Sequence, residues 1–369
     1  MAGMRAAIRR LYRGETRFNF IDTRRRWYLA SLLLLAVCLF SFLFRGFNFG
    51  VEFSGGTQYQ LTVTNTSVTP KQVESVFTAG GVTPADAARE VGSGSTRQIV
   101  VKTTDLGQER QKALTDRLVS DLKIDRGRIN VQTVSSSWGR NVTRKAIQGL
   151  VVFLIVVSIY ISIRFQWRMA VGAFVALIHD LIVAAGIYSL VGFEVTPSTV
   201  VGLLTILGFS LYDTVVVFDK VAENSRDLLA GSRMTFSQAA NLAVNQTLMR
   251  SINTSLIALL PVAGLLFVGA GLLGVGTIKD LALILFVGLA SGAYSSLFLA
   301  TPIVCDLTER QPAYRALAKR VAAKRASEQA ARARAAAEPA LAGTATRRIG
   351  GPAPAPRPGA RPQQRTRRR

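Results

Sequence analysis

The sequence predicts an α-helical membrane protein with six transmembrane helices and a small α+β domain between the first two of them. Of the 369 residues, 49% are hydrophobic, and the mean hydropathy is +0.29. Six stretches contain the about 20 mostly apolar residues that a helix needs to cross a hydrocarbon core about 30 Å thick. The formal charge of +23 is concentrated at the two ends of the chain, as expected for termini that stay in the cytoplasm.

The six apolar stretches define the predicted topology. Residues 1–26 carry eight Arg against Glu15 and Asp22, a net charge of +6, so we expect this segment in the cytoplasm. We do not expect the first stretch to be a cleaved signal peptide, because its apolar core is long and no small-residue cleavage site follows. An even number of spans returns the C-terminus to the same side. The predicted spans are residues 27–44, 146–163, 169–190, 195–218, 253–273 and 278–304.

Residues 45–145 form the predicted extracytoplasmic domain. Apolar and polar residues alternate as in strands, or repeat at helical spacing, in the order β-α-β-β-α-β. This order is that of a split βαβ, ferredoxin-like unit. Thr69 is the expected N-cap of the first helix, and Pro70 its first residue. The predicted elements are strand 57–63, helix 70–77, strands 87–91 and 97–103 around a turn at 92–95, helix 106–122 and strand 129–134.

The other five spans lie close together in residues 146–306. We expect the third and fourth to form a hairpin about the short turn 191–195, and the fifth and sixth to be joined by a glycine-rich turn. The loop 219–251 is predicted to contain a surface amphipathic helix around residues 236–248.

The basic tail, residues 307–369, is predicted to be disordered and drawn to anionic lipid. From Tyr314 onward it carries fifteen Lys or Arg against Glu328 and Glu338, a net charge of +13. The arginines alternate with Ala, Pro and Gly and have no stacking aromatic residues among them. We therefore expect membrane lipids as a partner of this tail and no specific nucleic acid.

Four ionisable side chains inside or beside the spans are the candidate functional residues. A carboxylate in a membrane costs about 3 kcal/mol or more, so such residues are usually functional. Asp213 in the fourth span is the first candidate for a group that takes up and releases a proton. Asp180 and His179 are adjacent in the third span and so point about 100° apart on a helix. Arg250, at the start of the fifth span, either anchors the chain at the cytoplasmic surface or reaches Asp213.

Enzyme chemistry finds no support in the sequence. No Walker motif, cofactor fingerprint or metal cluster is present, and His179 is the only histidine for a catalytic serine. Cys38 and Cys305 lie at opposite ends of the chain without metal-ligand spacing. We therefore predict a protein that is not an enzyme and that uses no cofactor and no metal.

Three motifs resemble the SecD/SecF family of protein-export membrane proteins, within the resistance-nodulation-division superfamily. GVEFSGGTQYQL after the first span is similar to the family's G-x-D/E-F-x-G-G-T signature, and GFSLYDTVVVFDKVAEN is similar to its fourth-span motif. The His-Asp pair and RSINTS, which begins at Arg250, add to the resemblance. The chain departs from the fourth-span motif at four positions. Phe209 and Tyr212 stand where Tyr and Asn are more usual in the family, and Lys220 and Ala222 replace two arginines. The residues of this chain that match the family's signature positions are Gly50, Glu52, Gly55, Gly56, Thr57 and Asp219.

The resemblance implies half of a resistance-nodulation-division fold and an accessory subunit of the Sec translocase in the bacterial cytoplasmic (inner) membrane. Its implied partners are SecD, the SecYEG channel with YajC/YidC-like factors, and the translocating polypeptide. The proton-motive force would promote late steps of export, with Asp213 as the proton-path carboxylate and Arg250 as its basic partner. Gly55 and Gly56 would let the chain turn from span into domain.

Other functional classes stay open from the sequence. One is an exporter subunit for small molecules or lipids from the same superfamily, although such exporters usually have two extracytoplasmic loops and about twice the spans. A second is a passive scaffold of the translocon, and a third is an intramembrane hydrolase.

Overall fold

The computed structural model describes residues 18–63, 68–91, 97–272 and 276–345. Six of its helices are long and apolar enough to cross a membrane, each overlapping one predicted span. Length and composition therefore confirm a helical, multi-pass membrane protein. The six spans are α1 (Arg24–Arg45), α5 (Ser136–Arg164), α6 (Trp167–Val191), α7 (Pro197–Asn224), α8 (Phe236–Gly264) with its π-helical continuation Leu265–Leu272, and α9 (Gly276–Ser295) with its continuations Ser296–Ala300 and α10 (Thr301–Glu309).

An inserted domain, residues 46–135, lies between α1 and α5 and contains a four-stranded sheet. The strand order is β3-β4-β2-β5, and every neighbouring pair is antiparallel. Helix α3 begins with a capping box between Thr69 and Gln72 and has Pro70 in its first turn, because this arrangement satisfies the free amides of a helix start. The elements are α2 (Val51–Ser54), β2 (Gly56–Thr62), α3 (Pro70–Ala79), β3 (Arg89–Val91), β4 (Gln98–Thr103), α4 (Gln108–Leu122) and β5 (Ile129–Val134).

The core of the inserted domain lies between one face of the sheet and helices α3 and α4. Side chains alternate between the two faces of a strand, so Tyr59 and Leu61 of β2 point toward the helices and are fully buried. They pack with Phe77 of α3 and Leu118 of α4 in one apolar cluster. The opposite face of the sheet is therefore left to polar residues such as Gln58 and Gln60.

A short parallel pairing connects the end of α1 with the loop between the third and fourth spans. Strand β1 (Asn48–Phe49) pairs with β6 (Glu194–Val195). The amide of Gly50 extends this pairing by donating to the carbonyl of Val195 at 2.9 Å. The predicted turn at 191–195 therefore contains a short strand, and its pairing with β1 holds the chain in place where it enters the inserted domain.

The spans approach each other most closely where glycines face larger side chains. A Cβ atom on Gly288 would lie 2.0 Å from Cδ1 of Ile206, and one on Gly292 would lie 2.9 Å from Cβ of Ser210. Helix α9 therefore packs against α7 through its small residues, as is common for helices in membranes.

Two helices of the membrane block extend further than the sequence predicted. The segment 236–248 is not a separate surface helix, because α8 runs without interruption from Phe236 to Gly264. No Gly or Pro separates the two parts, and Ala239, Ala240 and Ala243 are fully buried. The helix that contains the second predicted span likewise begins at Ser136, with Ser135 as its N-cap, whereas the span itself was predicted from residue 146.

The tail was predicted to be disordered, but α11 (Pro312–Ala345) covers much of it. Alanine has the highest helix propensity and Arg, Lys and Glu also favour helices, which explains the difference. Three expectations fall outside the described residues: the structure of residues 1–17 and 346–369, the turn at 92–95, and the part of the glycine-rich turn at 273–275.

Candidate functional site

Asp180 lies in the middle of α6 and is 1% exposed. Its Oδ2 accepts hydrogen bonds from Ser210 of α7 at 2.6 Å and from Ser295 of α9 at 2.7 Å. Its Oδ1 accepts one from Ser291 of α9 at 2.7 Å. Three hydroxyl groups from two neighbouring helices therefore surround this carboxylate.

His179 also contacts the Asp180 carboxylate, although the two residues are adjacent in sequence. Its Nδ1 lies 3.2 Å from Asp180 Oδ1, and the ring lies 6.0 Å from the ring of Tyr294. Its Nε2 is buried and has no hydrogen-bond partner within the described part of the chain. The 100° separation of adjacent helical residues does not prevent this contact, because both side chains turn toward the space between α6 and α9.

Asp213 forms the second buried carboxylate site, one helix away on α7. Its Oδ1 accepts from Ser251 of α8 at 2.7 Å, and its Oδ2 accepts from Ser296 at 2.5 Å. The residue is 8% exposed. Over the described residues, no Lys or Arg forms an ion pair with Asp213 or Asp180.

The geometry of the sixth span brings the two carboxylates into one network. Ser291 and Ser295 are four residues apart and so lie on one face of α9, where both contact Asp180. The next residue, Ser296, opens a π-helical segment and contacts Asp213. π-helical turns within α-helices are frequent at functional sites. Adjacent serines thus connect the two carboxylates.

The serines were not among the functional residues predicted from the sequence. Their signal in the sequence is SGAYSS, residues 291–296, which places three serine hydroxyls in an apolar span. Ser251 and Ser210 carry no comparable signal, since isolated serines are common in membrane helices.

Arg250 does not contact Asp213 in this structure. Its guanidinium donates instead to the hydroxyl of Tyr212 at 3.1 Å. Tyr212 precedes Asp213 on α7, and Arg250 precedes Ser251 on α8, so the two contacts are adjacent links between the same helices. Tyr212 stands where the family resemblance led us to expect Asn, and its hydroxyl supplies the acceptor for the arginine.

Asp219 lies apart from the buried network. It forms an ion pair with Arg164 at 2.8 Å, and the two side chains are 45% and 54% exposed. The pair joins the end of α5 to the end of α7.

The signature residues after the first span surround the junction with the inserted domain. Gly55 and Gly56 have φ angles of +74° and +115°, which favour glycine. A Cβ atom on Gly56 would also lie 2.3 Å from the carbonyl oxygen of Thr103. Glu52 accepts from Gln132 of β5 at 3.0 Å, and Thr57 contacts the Thr133 hydroxyl at 3.1 Å.

Hydroxyl partners suit a carboxylate that changes its protonation state. A serine hydroxyl can donate to an ionised carboxylate and can accept from a protonated one. Both forms of Asp180 and Asp213 can therefore be satisfied by rotation of the same serines. A fixed cation would favour only the ionised form.

Comparison with known proteins agrees with this architecture. The family model described as "Protein export membrane protein SecD/SecF, C-terminal" matches residues 115–310, which is more than half of the chain. The model described as "SecD/SecF GG Motif" matches residues 40–67, around Gly55 and Gly56.

Several relatives are similar over most of the chain. The protein translocase subunit SecF of Streptomyces coelicolor is 49% identical over 315 residues, covering 85% of this chain and 83% of the relative. The protein of the same name from Mycobacterium tuberculosis is 44% identical, with 86% and 73% covered. The protein translocase subunit SecDF of Thermus thermophilus is 32% identical, with 82% and 40% covered.

Solved structures show the same fold. The crystal structure of SecDF, a translocon-associated membrane protein from Thermus thermophilus, matches with a TM-score of 0.71 at 32% identity. The match covers 80% of this chain and 39% of that longer chain. A SecDF structure in a super-membrane-facing form matches with a TM-score of 0.58 at 33% identity. Together with the matches to the family models, these similarities show that the chain belongs to the SecD/SecF family of protein-export membrane proteins.

Proposed function

We propose that this chain is the SecF subunit of a bacterial protein translocase and that it acts with SecD to promote polypeptide export. The 49% identity to a protein translocase subunit SecF over most of both chains supports this assignment. The fused SecDF chain of Thermus thermophilus, of which this chain spans about two fifths, supports a separate SecD chain as the partner. The SecYEG channel, YajC/YidC-like factors and the exported polypeptide are the further proposed partners.

The observation that carries the mechanism is the pair of buried carboxylates whose side-chain partners, among the described residues, are serine hydroxyls and, for Asp180, also His179. We propose that Asp213 and Asp180 take up and release protons as the proton-motive force drives export. Protonation would change which serines donate and which accept between α7, α8 and α9. Helices held by these contacts would then shift against each other, which couples the proton to movement.

The inserted domain is the proposed moving part outside the cytoplasm. We propose that it is a ferredoxin-like unit, supported by its strand order β3-β4-β2-β5 and by its two helices on one face. The positive-φ glycines Gly55 and Gly56 would serve as the flexible junction between the first span and this domain. The basic ends of the chain favour cytoplasmic termini.

Arg250 is proposed to assist Asp213 from its position on the next helix. Its contact with Tyr212 holds the guanidinium on the residue that precedes Asp213 in α7, without an ion pair to the carboxylate. A change in protonation of Asp213 would alter the attraction for this guanidinium, since unit charges interact over several ångströms in a low-dielectric interior.

The alternative functions, a passive scaffold and an exporter of small molecules or lipids, predict different effects of altering the two carboxylates. A passive scaffold needs neither proton transfer nor a charged Asp213. An exporter of small molecules or lipids would use the carboxylates but would leave preprotein export unchanged when they are altered.

The experiment that tests the proposal measures export of a secreted preprotein in cells that depend on this chain. Asp213→Asn and Asp180→Asn keep the size of each side chain and remove its charge. Both are expected to reduce export to the level of a deletion, while membrane levels of this chain and of SecD hold. Asp219→Asn is the matched control, since this carboxylate is exposed and paired with Arg164. Unchanged export in Asp213→Asn cells with normal protein levels would contradict the proposal.

A further inference from the structure

A polar cleft of about 950 Å³ separates the inserted domain from the spans beneath it. One wall is the sheet face that is not covered by α3 and α4. The other wall is formed by the end of α1, the loop around β6 and the start of the sixth span, including Glu194, Thr196 and Lys279. The volume is at the upper end of the about 300–1,000 Å³ found for ligand clefts.

Carboxamide side chains dominate the sheet wall of this cleft. In the strand register, Gln58 of β2 lies opposite Gln132 of β5, and Gln60 lies opposite Asn130. Gln98 of β4 lines the same cleft. Directly opposed residues of antiparallel strands have their side chains about 5 Å apart, so these pairs form a continuous surface of carboxamide groups.

One of these amides has an unsatisfied acceptor. Gln58 is 3% exposed, and its Oε1 has no hydrogen-bond partner within the described residues. Leaving a buried acceptor unpaired costs about 1–3 kcal/mol. The oxygen is itself buried, so a small rotation of the Gln58 side chain toward the cleft would let a group there donate an N–H to it and remove that cost.

The chemistry of the wall matches a polypeptide main chain. Each carboxamide offers both a donor and an acceptor, as does each peptide group. Three basic and four acidic side chains are among the described residues that line the cleft, so neither charge sign selects an ionic ligand. A surface of this kind binds backbone with little regard to side-chain identity.

The same protein already uses this chemistry elsewhere. On α8, Asn245 accepts from the amide of Phe18 at 2.9 Å and donates to the carbonyl of Phe18 at 2.8 Å. Asn241 accepts from the amide of Phe20 at 2.8 Å and donates to the Phe18 carbonyl at 2.9 Å. Two carboxamides thus hold a non-helical backbone segment by its peptide groups.

We propose that the amide-lined cleft binds an extended segment of polypeptide through hydrogen bonds from Gln58, Gln60, Gln98, Asn130 and Gln132 to its peptide groups. This inference rests on the proposed role in polypeptide export and locates a site for the substrate on this chain. Glu194 of the cleft wall forms an ion pair with Lys102 of β4 at 2.8 Å, which ties the inserted domain to the loop around β6.

The test measures binding of an unfolded polypeptide to the full chain in lipid nanodiscs. The probe is fluorescein-labelled, reduced and carboxymethylated α-lactalbumin. Competitors are a short uncharged Gly/Ser/Thr peptide and its backbone N-methylated counterpart, which lacks amide donors. We expect the plain peptide to compete and the N-methylated peptide to fail. Equal competition by both peptides would overturn the proposal whether or not any variant folds.

Variants locate the site. Gln60→Ala with Asn130→Ala removes one opposed amide pair and is expected to weaken probe binding at least about tenfold. Gln108→Ala, an exposed glutamine on α4, is the matched control. A photo-crosslinking residue at Val100, which lines the cleft, is expected to capture the probe, whereas one at Gln108 is not. Crosslinks from Val100 only to lipid, with none to the probe, would overturn the proposal.

Comparison with the export assay separates this inference from the proposed function. If the amide variant binds the probe normally while Asp213→Asn abolishes export, the cleft proposal fails and the proposed function stands. If Asp213→Asn exports normally and the amide variant loses binding, the proposed function fails and the cleft remains a polypeptide site.

Discussion

Lys102 is the side chain that holds the inserted domain to the membrane-spanning part. It lies on β4 and is 8% exposed. Its ammonium group contacts the Glu194 carboxylate at 2.8 Å, the Asn48 side-chain oxygen at 2.9 Å and the Phe49 carbonyl at 2.7 Å. Lys102→Met keeps most of the apolar stem and removes all three contacts.

The expected cost follows from these contacts. Breaking one side of a buried ion pair costs about 3–5 kcal/mol. The Glu194 side chain is 23% exposed, so water would solvate part of the abandoned carboxylate. We therefore expect local opening of the β1–β6 pairing to become about 2 kcal/mol easier, which corresponds to about a 30-fold change in the opening equilibrium.

Amide hydrogen exchange measures this opening directly, because exchange from a closed segment reports its local opening free energy. The informative amide is that of Gly50, which donates to the Val195 carbonyl. In nanodiscs, peptides that contain residues 48–50 are expected to exchange about 30-fold faster in Lys102→Met than in the parent chain. Lys71→Met, at an exposed lysine of α3, is the matched control.

Two results would refute this reasoning. One is an increase of less than about threefold in the Gly50 exchange rate. The other is an equal increase in Lys71→Met, which would mean that the whole domain had been destabilised. In a double-mutant cycle, Glu194→Gln should remove most of the effect of Lys102→Met, since the pair acts as a unit.

Two further predictions concern packing and titration. Gly288→Ala forces Ile206 to move and should destabilise the membrane block by about 1–3 kcal/mol, which would lower the thermal unfolding midpoint in detergent. Gly208→Ala is the control, because a Cβ atom there would have open space around it. Equal midpoints for the two variants would contradict the close packing of Gly288 against Ile206. Burial raises the pKa of Tyr59 to about 12, above the ordinary value of about 10 in the unfolded chain. The neutral phenol therefore contributes its full stabilisation of the fold below about pH 10, and this stabilisation is lost as the pH rises through about 12. The 295 nm titration difference between the parent and Tyr59→Phe should show this late midpoint; a midpoint near the ordinary pKa of about 10 would contradict it.

Hydropathy predicted the spans because the cost of polar groups in a membrane acts on every residue of a span. Alternation predicted the strands of the inserted domain for a similar reason, since one face must be buried and the other not. Thr69 and Pro70 predicted the start of α3 because capping is a local interaction. These features depend on neighbours in sequence.

The serine network depends on neighbours in space and could not be predicted in the same way. Asp213 and Asp180 were found because carboxylates are rare in spans. Their partners Ser251 and Ser296 come from other helices, and the packing of α7, α8 and α9 decides which serines face them. The same reason explains why Arg250 meets Tyr212 and not Asp213, since a one-residue rotation of either helix would change the pair.

The continuity of α8 was missed because a membrane boundary leaves no helix-breaking residue in the sequence. The polar stretch before residue 253 resembles a loop in composition. Its alanines instead pack tightly within the protein, and Asn241 and Asn245 bind the backbone near Phe18. Tertiary contacts decide such segments more than intrinsic propensity does.

Proton movement through the buried carboxylates is the central claim, and vesicles test it most directly. This chain and SecD are reconstituted together with a pH-sensitive dye inside, and a proton gradient is imposed. We expect dye acidification above that of empty vesicles for the parent chain and for Asp219→Asn, and a return to the empty-vesicle rate for Asp213→Asn. A proton flux in Asp213→Asn equal to that of the parent chain would contradict the account.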